Sequence, residues 1–193
     1  IYNPAFDTNV FRLSKEKISL KKKKNTILTV GRLENQKDII TILKAFELLI
    51  KKINARLIII GYGSQYNMLK NYIKKNKLQK NIIILTKVSN PFPYYKIADT
   101  FVLSSKFEGF GNVLVEAAMF KINIISSNCN AGPKEILFNG RYGQLFNIGD
   151  FIRLSEQMYV SLKNKNLYNK NQFFNSLKRF NLRSNVSKYI HLF

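Results

Sequence analysis

Short apolar runs alternate with amphipathic stretches from residue 26 almost to the end of the chain. Thr26-Ile27-Leu28-Thr29-Val30 is largely apolar and β-branched, and Gly31 closes it. The pattern returns in Leu57-Ile58-Ile59-Ile60, Ile82-Ile83-Ile84-Leu85, Thr100-Phe101-Val102-Leu103-Ser104, Ile122-Asn123-Ile124-Ile125 and Gln144-Leu145-Phe146. Runs of this length and composition predict strands. Between them apolar residues recur at helical spacing, first Ile39, Ile40, Leu43, Phe46, Leu49 and Ile50, then Met68, Leu69, Tyr72 and Ile73. Shorter helices are predicted around Tyr94 to Ala98 and after Pro133, a residue suited to a helix start. A last one runs from about Asp150 to Leu162. Strands apolar on both faces, each followed by a helix, specify a parallel sheet covered on both sides. The fold class is α/β, a doubly wound parallel sheet, with no internal repeat. Such sheets bind ligands outside the carboxyl ends of their strands. The informative loops are therefore residues 31–37, 61–65, 87–93, 105–112 and 126–134.

The loop after Thr100-Phe101-Val102-Leu103 carries the richest chemistry. It reads Phe107-Glu108-Gly109-Phe110-Gly111-Asn112-Val113-Leu114-Val115-Glu116-Ala117. A strand runs into two glycines, and Asn112 opens a helix over Val113, Leu114, Ala117 and Ala118. Unpaired N–H groups at a helix start favour an anion such as a diphosphate. Glu108 stands before the turn, and Glu116 lies about one turn inside the helix, roughly 6 Å along its axis. Carboxylates accept hydrogen bonds from paired hydroxyls, so this spacing suits a nucleotide sugar held at both its sugar and its ribose. The plain alternative is a loop residue and a first-turn glutamate favoured by the helix dipole.

At 193 residues and 46% hydrophobic composition, the chain suits one globular domain with a substantial core. No apolar stretch approaches transmembrane length. The opening lacks a charged segment, an apolar segment and a cleavage site, and reads like the inside of a longer chain. A single cysteine, Cys129, excludes an internal disulfide and a cysteine metal cluster. The net charge of +21 comes mostly from lysine. Runs such as Lys21-Lys22-Lys23-Lys24 and Lys74-Lys75-Asn76-Lys77 suit solvated faces. They also leave room for attraction to an anionic membrane surface or a phosphate-bearing acceptor. No zinc knuckle, helix-turn-helix or aromatic RNA-binding signature accompanies the charge.

Read in order, Asn3-Pro4 with Asp7, Val30-Gly31-Arg32-Leu33 with Lys37, Ala98-Asp99, Glu108-Gly109-Phe110-Gly111 and Glu116-Ala117 resemble the carboxy-terminal half of family-4 retaining glycosyltransferases. Gly132-Pro133-Lys134-Glu135-Ile136 and Gly143 extend the resemblance toward enzymes of bacterial surface glycans. It implies the carboxy-terminal, Rossmann-like half of a GT-B fold, which binds a nucleotide-activated sugar, UDP- before GDP-. Residues 1–25 are then a segment arriving from an amino-terminal domain, 26–165 the donor-binding domain, and 166–193 a helical tail crossing back.

The same resemblance implies residue roles. Arg32 and Lys37 clamp the diphosphate, as a planar guanidinium and a mobile ammonium can. Glu108 binds the transferred sugar, Glu116 the ribose, and the backbone of Gly109, Phe110, Gly111, Asn112 and Val113 meets the phosphates or sugar. Val88 and Asn90 edge the nucleobase, mostly by backbone contacts. Arg32, Lys37 and Glu108 are the catalytic candidates. Gly61 and Gly63 are read as structural. The only histidine, His191, lies in the tail, so His-based catalysis is not expected. Neither a metal nor a cofactor is expected. Expected partners are a nucleotide-sugar donor, a glycan or lipid-linked acceptor and the amino-terminal domain. The expected location is the cytoplasm, extending to the inner membrane face. Two alternatives stay open: a GT-B sugar epimerase, and a basic module binding nucleic acid or membrane.

Overall fold

The computed structural model describes residues 5–130, 132–181 and 186. Six parallel strands form its sheet: β1 (Thr26–Val30), β2 (Arg56–Ile60), β3 (Ile82–Leu85), β4 (Thr100–Leu103), β5 (Asn123–Ser127) and β6 (Gln144–Phe146). Their order is β3-β2-β1-β4-β5-β6. This is the doubly wound order, whose switch point lies between β1 and β4. The α/β, Rossmann-like reading of the sequence holds, and the predicted strands agree with the observed ones to within one or two residues.

Alternation along the strands divides the core in two. Leu28, Ile58, Ile60, Phe101, Leu103 and Ile124 face one side. There they meet α1 (Asn9–Leu13), α4 (Phe92–Ile97), α5 (Asn112–Met119), α6 (Pro133–Ile136) and α8 (Lys170–Ser176). Ile27, Leu57, Ile59, Val102 and Ile125 face the other, covered by α2 (Ile39–Ile50), α3 (Tyr66–Lys75) and α7 (Phe151–Lys163). In the inner strands β1, β2, β4 and β5 nearly every residue is buried on whichever face it points to, which is why the runs are continuously apolar, while the outer β3 and β6 are partly exposed.

The opening segment from residue 5 and the tail as far as residue 181 depart most from the simple strand–helix rhythm. Phe6 and Val10 of the opening segment enter the core beside Phe173, Leu177 and Phe180 of the tail. The N–H groups of Ala5 and Phe6 both donate to the Phe180 carbonyl, at 3.0 and 2.9 Å. Opening segment and tail thus hold each other on the α4/α5 face. Asn3-Pro4, His191 and residues 182–185 and 187–193 of the expected crossing tail lie outside the described residues. Among the described residues no helix is long and apolar enough to cross a membrane.

Candidate functional site

The carboxyl ends of β1 and β4 bring two loops together at the switch point. A 3-10 turn over Asn35–Lys37 follows β1, and residues 104–111 follow β4. Hydrogen bonds fasten one loop to the other. Ser104 Oγ donates to the Lys37 and Asp38 carbonyls at 2.7 and 3.0 Å, and the Lys106 N–H donates to the Gln36 carbonyl at 2.8 Å. Gln36 Nε2 returns a bond of 2.9 Å to the Phe107 carbonyl.

This stitching places Lys37 Nζ 2.6 Å from Glu108 Oε1, with side chains only 15% and 7% exposed. Burial makes the pair electrostatically strong. The Ser105 hydroxyl donates to the same oxygen at 2.6 Å, and Ser105 is itself held through its carbonyl by Ser127 Oγ at 2.6 Å. The Lys37 stem lies along Gly31, its Cε 3.5 Å from where a glycine Cβ would stand. Residues expected from two separate motifs therefore meet at one point. Cys129 is buried nearby, and burial first, then the Glu108 charge, pushes its thiol up.

Beyond Glu108 the chain turns into α5 through Gly111, whose φ of 94° is natural only for glycine. The N–H groups of Gly109, Phe110, Gly111, Asn112 and Val113 donate to no loop or side-chain acceptor among the described residues. That leaves a run of donors at a helix start, suited to an anion. The Phe110 ring is turned away into the core, edge-on to Phe180 with centroids 5.1 Å apart, so only its backbone can face a ligand.

Glu116, in the second turn of α5, accepts a hydrogen bond of 2.7 Å from the fully buried Tyr95 hydroxyl. Burial raises the Glu116 carboxyl above its ordinary value, and the bond from Tyr95 works against that rise. Burial, then the Glu116 charge, lifts the Tyr95 hydroxyl well above its own.

Arg32 is exposed and makes no ion pair among the described residues. It lines a cleft of about 400 Å³ with Gly31, Gly61, Tyr62, Val88 and Pro91. Glu34 also lines it, held below its ordinary pKa first by the Ser64 hydroxyl, then by the Ser64 amide and Arg32. The Asn90 side chain is engaged elsewhere. Its Nδ2 donates to the Leu13 carbonyl at 2.9 Å and to Glu16 Oε2 at 2.7 Å, while its Oδ1 accepts from the Phe92 N–H. Its side chain anchors the opening segment, which leaves only its backbone for a ligand.

Sequence reading missed Ser104, Ser105, Tyr62 and Tyr95. Two consecutive serines at the exit of an otherwise apolar strand were the available signal. Tyr95 carried none, because its partner comes from another element.

The parallel order β3-β2-β1-β4-β5-β6, with Lys37 and Glu108 meeting at its switch point, defines a doubly wound, Rossmann-like α/β domain. The family model for "Glycosyl transferases group 1" matches residues 10–187, and the chain belongs to that family. An uncharacterised glycosyltransferase of Methanocaldococcus jannaschii is 36% identical over 126 residues, which is 65% of this chain and 31% of that protein. The N-acetylgalactosamine-N,N'-diacetylbacillosaminyl-diphospho-undecaprenol 4-alpha-N-acetylgalactosaminyltransferase of Campylobacter jejuni is 29% identical over 163 residues, 84% of this chain and 42% of that protein. Among solved structures, the pneumococcal O-GlcNAc transferase GtfA in complex with UDP and GlcNAc superposes with a TM-score of 0.79 at 18% identity, covering 99% of this chain and 37% of that one. At that identity the likeness speaks for the fold. The chain thus spans less than half the length of these three proteins.

Proposed function

We propose that this chain is the donor-binding, carboxy-terminal half of a retaining GT-B glycosyltransferase of family 4. It transfers a hexose or N-acetylhexosamine from a UDP-sugar to a glycan or lipid-linked acceptor, as in bacterial surface glycan synthesis. The observation that carries this reading is the Lys37–Glu108 pair at the mouth of a helix start with unpaired donors. The undecaprenol-linked acceptor in the Campylobacter relative's name and the UDP in the GtfA complex agree with it.

In this reading the diphosphate lies over residues 109–113, with Lys37 and Arg32 on its oxygens. Cleavage of the sugar–phosphate bond leaves the electron pair on the phosphate oxygen. Those cations and the N–H groups stabilise the charge, most effectively in a closed, dry cleft. The acceptor hydroxyl attacks from the same face, and its proton passes to the departing phosphate. Glu108 holds sugar hydroxyls through the carboxylate that Ser105 and Lys37 orient. Glu116 takes the ribose, and Val88 with the Asn90 backbone edges the base. No metal or cofactor takes part. The acceptor site belongs to the preceding half, so the isolated chain binds donor but transfers little sugar. The place of work is the cytoplasm, at the inner face of an anionic membrane.

Titration calorimetry with UDP, GDP, NAD and short oligonucleotides tests this reading. UDP binding is expected at physiological salt, with oligonucleotide binding only at low salt. Arg32→Ala should weaken UDP by about 1.5–3 kcal/mol, the range for hydrogen bonds to charged groups, and leave uridine almost unchanged. Equal losses for UDP and uridine would place Arg32 in folding instead, and no nucleotide binding at all would end the donor reading.

A further inference from the structure

Among the described residues Tyr62 is the most exposed of the large hydrophobic side chains, at 76%, and it belongs to neither half of the core. A single exposed aromatic needs no explanation by itself. What sets this one apart is the rigidity of the backbone beneath it. The Leu33 N–H donates to the Tyr62 carbonyl at 2.9 Å, the Gly61 N–H to the Leu85 carbonyl at 3.0 Å, and the Gln65 N–H to the Leu33 carbonyl at 2.8 Å. The Ser64 amide and hydroxyl both donate to the Glu34 carboxylate, at 2.9 and 2.6 Å. Glycines flank Tyr62 on both sides. A Cβ on Gly63 would stand 2.5 Å from the Leu33 carbonyl oxygen, and one on Gly61 would overlap Gly31. The ring, in contrast, has no hydrogen bond, ring stack or cation partner among the described residues.

Tyr62 lines the cleft of about 400 Å³ in which Arg32 supplies a cation and Val30, Ile60, Val88 and Pro91 supply apolar wall. An unengaged aromatic face beside a guanidinium suits a ligand that carries a flat ring and an anion together. We propose that Tyr62 is the stacking platform for the nucleobase of the donor, its ring on the face of the base while Arg32 meets the diphosphate. Asn90 points the same way. Both ends of its side-chain amide are occupied, by Leu13, Glu16 and the Phe92 N–H, so that side chain is not available to the base edge. Affinity for the base then comes mainly from its faces, and a rigid mount lowers the cost of ordering the ring. This role rests on the donor-binding reading and adds to it an affinity determinant on the loop after β2.

Tyr62→Ala and Tyr62→Phe test it with UDP, uridine and inorganic pyrophosphate at physiological salt. Calorimetry reads UDP and pyrophosphate, and ligand-observed NMR reads uridine. Tyr62→Ala should weaken UDP and uridine by the same factor, at least about tenfold for the loss of a base stack, and leave pyrophosphate unchanged. Arg32→Ala should do the reverse, losing pyrophosphate and keeping uridine. Tyr62→Phe keeps the ring and should stay within about threefold of wild type for all three, since every base stacks through its π-face. Both Tyr62 variants should melt with the wild type, because the side chain is exposed. Unchanged uridine binding in Tyr62→Ala, or a Tyr62→Phe protein as impaired as Tyr62→Ala, would overturn the platform and leave the donor reading standing on UDP binding. An equal loss of pyrophosphate would overturn it too, by making Tyr62 a support of the Arg32 loop. A wild-type chain that binds UDP no better than pyrophosphate would remove the platform alone. One that binds none of the three ligands would remove the donor reading and the platform with it.

Discussion

At the scale of single residues, the two glutamates of the α5 loop live in different environments, and that difference is testable. Glu108 is neutralised in place by Lys37 and oriented by Ser105. Glu116 has only a neutral partner, Tyr95, and its burial favours the protonated form. A carboxyl whose folded pKa is raised contributes stability that is present at low pH and lost as pH rises through the folded value. Glu116→Gln should therefore raise the melting temperature at neutral pH and flatten the stability profile just above the ordinary glutamate range, because the amide oxygen still accepts from Tyr95. The same variant should weaken UDP and UDP-sugar alike, by about 1.5–3 kcal/mol for a lost charge-assisted bond. Glu108→Gln should spare UDP and weaken the sugar-bearing donor. Thermal melts across pH together with calorimetry read both. A Glu116→Gln protein less stable at neutral pH, or a Glu108→Gln protein equally impaired for UDP, would break the division of labour.

At the scale of elements, the site depends on how closely the strand-end loops approach one another. A Cβ on Gly61 would stand 1.8 Å from the Gly31 carbonyl oxygen, so the loops after β1 and β2 touch backbone to backbone. Gly61→Ala must push the Arg32 loop away. It should cost about 1–3 kcal/mol in urea denaturation, as overpacking does, and reduce UDP affinity as well. Gly109→Ala is the matched control, since a Cβ there meets nothing within 4 Å, and its stability should stay within about 0.5 kcal/mol. A Gly61→Ala protein as stable as the control would show that these loops are free to separate. The sequence marked Gly61 as structural, because a lone Gly-x-Gly is a weak sign of a ligand site. It held no sign of which backbone that glycine admits, because Gly31 and Gly61 are thirty positions apart.

At the scale of the whole molecule, the opening segment from residue 5 and the tail as far as residue 181 contribute to the core rather than to its periphery. Phe173 is 1% exposed and stacks on Tyr142 with centroids 4.9 Å apart, and Phe180 is held between Phe6 and Phe110 through the backbone bonds and ring contact described above. Phe173→Ala should therefore destabilise the entire domain by about 3–5 kcal/mol. Urea unfolding followed by circular dichroism and by tyrosine fluorescence should remain one coincident transition. An early, separate melting of the tail would show that it is an appendage. The expected division into an arriving segment, a body and a tail rests on sequence order, whereas burial among the described residues joins all three.

The sequence by itself determined the six strands, the main helices and the parallel doubly wound class, and it named candidate residues for a nucleotide sugar. Those follow from local rules: continuous apolar runs, helical spacing, and glycines before a helix start, each legible within a dozen residues. Tertiary structure alone decided the pairings. Lys37 reaches Glu108 across 71 positions, Tyr95 reaches Glu116 across 21, and Asn90 reaches Leu13 across 77. Such partners are set by strand order and loop crossing, which no local pattern encodes. It also decided what each candidate can do: the Asn90 side chain became an anchor and the Phe110 ring became core. Short-range propensity places the elements, but the chemistry of a site depends on which distant groups the packed sheet brings within hydrogen-bond reach.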